Sequence, residues 1–581
     1  MTRVSHRALQ WSVPAYALTV ALLVVAPLLG PGYLLLRDAV STPRSYLSDA
    51  ALGLGESAPR ASPQDFAVAL ASHVLDGGVV VKGLLVLGLW SAGWGAARLL
   101  TRVLPEAGRP GQLVATTLAI WNPYVAERLL QGHWSLLVGY GCLPWVATSM
   151  LDLRLGTRRR GFFALAFWVA LAGLTPTGLM LAAAVALVCA VTPGPGSPRW
   201  LCTAGALGAA MLAALPWLTA AALSPSSGAW AQTPAVAVFA ARAEPGLGTL
   251  GGLAGLGGIW NGEAVPTSRT TPLAALATAA LLGVVATGLP VLVRRAVAIP
   301  LLVLAVVAVV LPAVLATGPG LAMLQGLVDA APGLAVVRDG QKWVALAMPG
   351  YALAGAAAVV TLRRWLRPTA TAAACCLALI AGLPDLAWGV AGKVGPVRYP
   401  AGWAAVAAAI NEHPGPVAVL PAGTMRRFSW AGAAPVLDPL PRWLRADVLS
   451  TGDLTVSGIT VPGEGAHARA VQSLLLTGVD SAHLREAGVA WLVVESGTAG
   501  DMGAAARTLD PLPPVHRDAD LALFRIGGHG AATPTRRRLA VLAAHVTWLA
   551  TFVSGAVGMA VGRRHRGRGQ AQRSDGDVLT N

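Results

Sequence analysis

Apolar residues run through this chain in long blocks separated by shorter polar stretches. The blocks cover approximately residues 11–36, 79–97, 111–122, 134–151, 161–174, 178–193, 201–223, 272–293, 296–316, 343–362, 369–390 and 539–562. A helix needs about 20 predominantly apolar residues to cross a bilayer, so the pattern predicts about twelve transmembrane helices. Block 111–122 is short; either residues 123–130 complete it or it is re-entrant. Block 11–36 is too long for a signal-peptide core and reads as a retained first span.

Arginine collects in alternate loops. One set holds Arg3 and Arg7, Arg98, Arg102 and Arg109, Arg154 with Arg158–Arg160, Arg199, Arg294 and Arg295, Arg363, Arg364 and Arg367, and the tail from Arg563. The positive-inside rule places that set in the cytoplasm with both termini, in a plasma membrane. Arg536, Arg537 and Arg538 then fall on the outer side, against the rule. Every long loop faces outward. The first, 37–78, is acidic, and within it Ser62 reads as an N-cap with Pro63 at the first helical position. Phe66, Leu70 and Val74 follow at helical spacing, which suits a helix on the membrane surface. Loop 224–271 is long and rich in Gly and Pro. Residues 391–537 read as a small extracytoplasmic α/β domain, with helices at 402–413, 467–488 and 500–510 and strands near 415–422, 489–496 and 521–527. The chain thus divides into a membrane core, 1–390, the outer domain, 391–537, and a last span with a basic tail, 538–581.

Composition agrees with a membrane protein. Of 581 residues 55% are hydrophobic and 12% charged, and the mean hydropathy is +0.62; soluble proteins carry roughly a quarter charged residues. A soluble enzyme and a disordered chain are both excluded. The net charge of +16 is scattered over short loops, which gives topology and no nucleic-acid face. All five cysteines lie in apolar blocks, so there is no disulfide framework and no metal-ligand spacing. GLGTLG at 246–251 matches a dinucleotide fingerprint only formally, having no strand before it and no helix after it. Walker A, HExxH, CxxC and GxSxG patterns are absent, and no cofactor or metal is expected. Ionisable groups at mid-span are scarce: His545 reads as a packed or hydrogen-bonded histidine, and Lys82 and Asp385 lie near span ends.

Charge with chemical potential gathers at the outer surface in three places. The first is Arg37–Asp38, where the first span ends. The second is WNPYVAERLLQGHW, 121–134, followed by GYGCLPW, 139–145, with Glu127, Arg128 and His133. The third is RDGQKW, 338–343, with Arg338, Asp339, Gln341 and Lys342. Each is either an interfacial anchor or part of a site. Moving a sugar from an isoprenoid phosphate to a hydroxyl would use such groups together. A carboxylate takes the acceptor proton, and fixed cations stabilise the departing phosphate.

These strings, with RDAVSTP and PRASPQD, resemble the GT-C class of membrane glycosyltransferases, which use polyprenyl-phosphate sugars. They are most similar to actinobacterial envelope members, namely the N-terminal membrane part of the large mycobacterial arabinofuranosyltransferase. The resemblance is best over about 30–150, and this chain is much the shorter. It implies a multi-pass, GT-C-like helical fold and an acidic base in the first outer loop. Asp38 matches that place, with Asp49 and Glu56 as competitors. Arg128, His133, Arg338 and Lys342 are then expected to contact the donor phosphate or sugar. Glu127, Asp339 and Gln341 would orient that group or the acceptor. Arg426, Arg427, Trp430 and Trp443 would line the acceptor side. The implied partners are a polyprenyl-phosphate arabinofuranose or mannose, an envelope glycan or glycolipid acceptor, and the lipid bilayer. A lipid-linked glycan flippase and a non-catalytic envelope assembly protein on the same scaffold are the alternatives.

Overall fold

Each of the twelve apolar blocks holds a helix. In a computed structural model the described residues are 2–56, 59–156, 158–223, 236–456 and 458–576. Residues 224–235 of the expected long loop lie outside them, as do the side chains of Arg3, Arg7, Arg158–Arg160 and the tail from Arg563. Among the described residues seven helices are long and apolar enough to cross a membrane: Trp11–Leu29, Gly77–Val103, Trp134–Leu155, Arg199–Leu223, Leu273–Leu292, Gly340–Thr361 and Thr535–Val561. The number rises to nine if each of two bent pairs is one span, Ile299–Leu315 with Gly318–Ala330 (92°) and Pro368–Gly382 with Pro384–Ala391 (74°). The helices Gly108–Ile120, Arg158–Ala172 and Pro176–Ala190 are shorter. The chain is a multi-pass membrane protein.

Trp134–Leu155 and Gly340–Thr361 are the most buried of the long helices, whereas Leu273–Leu292 and Thr535–Val561 expose most of their surface. Small residues set the central packing. A side chain on Gly88 would meet the backbone of Val138 at 2.9 Å, and one on Gly141 would strike the carbonyl of Gly88. The two helices therefore touch backbone to backbone, as small residues permit where lipid supplies no hydrophobic drive. Ion pairs Arg102–Asp152 (3.0 Å) and Arg295–Glu106 join helix ends at one face. The cavity described below lies at the other.

The first helix stops at Leu29, short of the expected 36, because Leu35–Leu36 and Ala39–Val40 pair as a hairpin. The short block is resolved as well. Gly108–Ile120 ends at Trp121, and Asn122 caps a separate, fully buried helix, Pro123–Leu130. In the first loop the surface helix is Gln64–Ala71. Ser62 does not cap it; its hydroxyl meets His545 Nε2 at 3.2 Å. Phe66 packs against the same His545 ring and Leu70 and Val74 are exposed.

Residues 401–526 carry a four-stranded sheet in the spatial order Val417–Leu420, Trp491–Glu495, Leu521–Arg525, Pro514–Arg517. The first two strands are parallel, the rest antiparallel. Ala401–Glu412 packs on the sheet through Trp403, Val406 and Ile410. The expected helix 467–488 is two, Ala466–Thr477 and Ser481–Glu486, the second capped by Asp480. Of 500–510 only Ala506–Leu509 is helical. This unit sits on the first loop through Arg60–Glu464 and Arg442–Asp65 (3.1 Å). Arg538 pairs with Asp49 (3.2 Å), so the arginine triplet lies on the same side as that loop.

Candidate functional site

Arg37 and Asp38 form the two-residue turn of the Leu35–Val40 hairpin. Arg37 has φ +47°, a left-handed conformation usually left to glycine. The turn is held on every side. Arg37 N–H donates to Pro435 O (3.0 Å), and Leu437 N–H donates to Arg37 O (2.9 Å). Its guanidinium donates to Leu130 O (2.6 Å) and Glu263 O (2.9 Å). Asp38 N–H donates to Gln131 O (3.2 Å). Strained backbone over-determined by its surroundings is a mark of functional sites.

The second string supplies the partner. Asn122 accepts from Val125 N–H (3.1 Å) and donates to Tyr140 OH (3.0 Å), stitching the short helix to the next one. Past Leu130 the chain turns at Gly132, φ +82°, where any Cβ would collide with the backbone of Leu36 and Ala39. That contact brings His133 to Asp38, Nε2 to Oδ2 at 2.9 Å, and Gln131 Nε2 to the same oxygen at 3.1 Å.

The third string completes a buried network. Arg128 is 0% exposed. It donates twice to Asp339 (2.8 and 3.0 Å), once to Gln341 Oε1, and once to His133 Nδ1 (3.1 Å). A guanidinium has donors only, so His133 Nδ1 must accept. The imidazole then carries its proton on Nε2 and donates it to Asp38. Burial pushes the His133 pKa down, against the pull of Asp38, in keeping with a neutral ring. Burial works to raise Asp38, yet hydrogen bonds from His133 and Gln131 hold its carboxyl below the usual value. Asp38 is an ionised carboxylate with a side chain 40% exposed. Its Oδ1 has no protein partner among the described residues.

Glu127 faces away from this center. Its oxygens accept from Gly258 N–H (3.2 Å), Ile259 N–H (3.0 Å) and Gln341 Nε2 (3.1 Å). Burial and the nearby Glu244 carboxylate push Glu127 up to about 8, against those donors. Glu244 itself is bound by Arg269.

A cavity of about 2160 Å³ opens between the helix ends and the 401–526 sheet unit, well above the usual few hundred to 1,000 Å³ of a small-ligand pocket. Asp38, His133, Asp339, Lys342 and Arg338 line it; Glu127, Arg128 and Gln341 do not. Lys342 Nζ is 3.8 Å from Asp339. Arg338 lies over the Phe239 ring at 3.9 Å, and burial lowers its pKa to about 10, leaving it charged at neutral pH. Asp339 is held far below the usual carboxylate range, burial being outweighed by Arg128 and Lys342.

Three strings distant in sequence therefore converge on one cavity, and two expected roles change. Arg128 is fully buried, spends both terminal nitrogens on Asp339, Gln341 and His133, and does not line the cavity, so it does not reach a phosphate there. Glu127 and Gln341 orient protein groups behind the wall. Of the competing acids, Asp49 pairs with Arg538, and Glu56 accepts from Ala468 N–H (3.1 Å). On the sheet unit only Arg427 of the four expected residues lines the cavity. Arg426 is buried against Glu495, Trp443 packs near parallel to Trp403, and Trp430 stacks on Phe428. Sequence reasoning missed Gln131, which lay inside a quoted string, and Trp260 and Asn261, which also line the cavity. Among the described residues no group of three or more His, Cys, Asp or Glu could hold a metal ion.

Among solved structures the chain is similar to arabinofuranosyltransferase AftD from Mycobacteria, seen by single-particle cryo-EM. The identity is 20% and the TM-score 0.56, over 89% of this chain and 40% of that one. A structure of a mutant of that protein gives 19% identity and a TM-score of 0.54, over 89% and 41%. This chain thus spans about two-fifths of the length of the protein it matches. It resembles the membrane part of AftD, and at this identity the likeness is one of fold. No protein-family model and no curated protein matches the chain.

Proposed function

We propose that the protein is a membrane glycosyltransferase that moves a sugar from a polyprenyl-phosphate donor to an envelope glycan or glycolipid. The observation that carries this is the cavity wall itself: an ionised Asp38, oriented by His133 and Gln131, shares one concave surface with Arg338 and Lys342. The donor is a polyprenyl-phosphate arabinofuranose or mannose, and the likeness to AftD supports the former. The basic loops face the cytoplasm and the cavity, with its 391–537 roof, faces outward. The three shorter helices and the two bent pairs bring the spans to about twelve.

In the reaction the acceptor hydroxyl oxygen attacks the anomeric carbon as the bond from that carbon to the phosphate oxygen breaks. The electron pair leaves with the lipid phosphate, whose added charge is met by Arg338 and Lys342. The acceptor proton passes to Asp38 Oδ1. A single displacement inverts the anomeric center. His133 keeps its proton on Nε2 throughout and holds Asp38 in place. Arg128 acts through His133 as a positioning residue.

Asp38→Asn tests this in membrane vesicles fed decaprenyl-phosphate arabinose or decaprenyl-phosphate mannose. Transfer falls by about a hundred- to ten-thousandfold, the usual worth of a general base, while donor binding persists. Undiminished transfer would remove Asp38 from the chemistry, and a binding scaffold would ignore the change.

A further inference from the structure

The Gly-rich segment before Asn261 carries no chemistry in its sequence, yet it is fixed with unusual care. Leu256 adopts φ +67°. Glu127 grips the next turn through two backbone N–H groups, and Gln341 Nε2 donates to Leu256 O (3.4 Å). Tyr351 OH donates to Ala254 O (3.1 Å), and Arg242 N–H donates to Gly258 O (2.9 Å). A fully buried acid that holds this loop through both of its oxygens needs a reason, and what the loop delivers is Trp260, directly after the gripped Gly258–Ile259, into the cavity.

Trp260 sits between the two halves of the site. On one side its ring meets Phe239 edge to face at 4.9 Å, and Phe239 is the ring beneath Arg338. On the other side Asn261 Nδ2 donates to Gln131 Oε1 (2.8 Å), and Gln131 donates to Asp38. A phosphate held at Arg338 therefore has the indole within one residue's reach in the direction of the base. In a lipid-phosphate sugar the group one bond beyond the phosphate is the sugar ring, whose C–H face suits a flat aromatic surface.

We propose that Trp260 is the platform for the donor's sugar ring, and that Glu127 and Gln341 are the positioning residues that hold it there. This rests on the glycosyltransferase reading and adds the subsite that distinguishes a glycosylated lipid phosphate from a bare one.

The test uses the full chain in nanodiscs and two probes, decaprenyl phosphate and its arabinofuranosyl or mannosyl ester. Trp260→Ala weakens binding of the ester by roughly three- to tenfold, in line with the loss of an aromatic contact, and leaves bare decaprenyl phosphate unchanged. Trp260→Leu, which keeps the packing on Phe239 but not the flat ring, does the same, and Trp260→Phe restores ester binding. Equal loss for both probes, or no loss for the ester, overturns the platform. Arg338→Ala weakens both probes together. If the wild type binds neither probe, the donor assignment fails first, a result distinct from failure of the platform alone.

Discussion

Two buried arginine clusters, one at the cavity and one in the sheet unit, use nearly the same parts to different ends. Arg128 is bound by Asp339 and Gln341, and Arg426 by Glu495, with Asp438 at 4.0 Å. Both guanidiniums are almost wholly inaccessible. In the sheet unit the charges close on themselves. Burial and Asp438 push the Glu495 carboxyl up to about 8, since one arginine cannot neutralise two buried acids. At the cavity the arginine turns one Nη1 donor to His133, and His133 passes the hydrogen-bond chain to an acid with an open oxygen. Burial and charge do not mark a functional cluster by themselves. An exit to a cavity does.

Paired substitutions separate the two most strongly. Arg128→Met and Arg426→Met each leave buried acids unmatched and cost about 3–5 kcal/mol of stability, read as a fall in the thermal unfolding midpoint. Only Arg128→Met also lowers transfer per folded molecule. Equal residual transfer in the two variants would erase the distinction.

A smaller effect tests the link between His133 and the base. Transfer in the wild type is lost on the acid side only as pH falls through the Asp38 pKa, below the ordinary 3.8. His133→Leu removes the donor and leaves burial dominant, so the Asp38 pKa rises and the acid limb of the pH profile moves to higher pH. An unmoved limb would mean that His133 does not act on Asp38.

The smallest effect comes from a pair at the cavity rim whose arginine is mostly in solvent. Arg60 is 59% exposed in its bridge to Glu464. Arg60→Ala is expected to change stability by less than about 1 kcal/mol in chemical denaturation.

The same contrast explains what the sequence discloses. Helices are legible because apolar blocks have one solution in lipid, and all twelve blocks contain one. Three of the four strands were visible as apolar runs; Pro514–Arg517 was not, being a short polar edge strand that begins with proline. The clusters at 37–38, 121–134 and 338–343 were visible because charge beside spans is conspicuous. Their internal roles were hidden, because Arg128 and Arg338 look alike until folding buries one and opens the other. Trp260 was hidden by its setting, since nothing local announces that Glu127, 133 positions earlier, grips the turn in front of it.

Gly132 carries a further consequence. Asp38, the proposed base, and the histidine that orients it belong to different loops, and what registers them is a place where one backbone rests directly on another. The geometry is thus inherited from a joint that contains no chemical group at all. On the proposed function, loops around the cavity can be exchanged to suit another sugar or acceptor while that joint stays. A graft that carried Asp38, His133 and Arg128 to a new scaffold without the glycine would import the parts and leave behind their alignment.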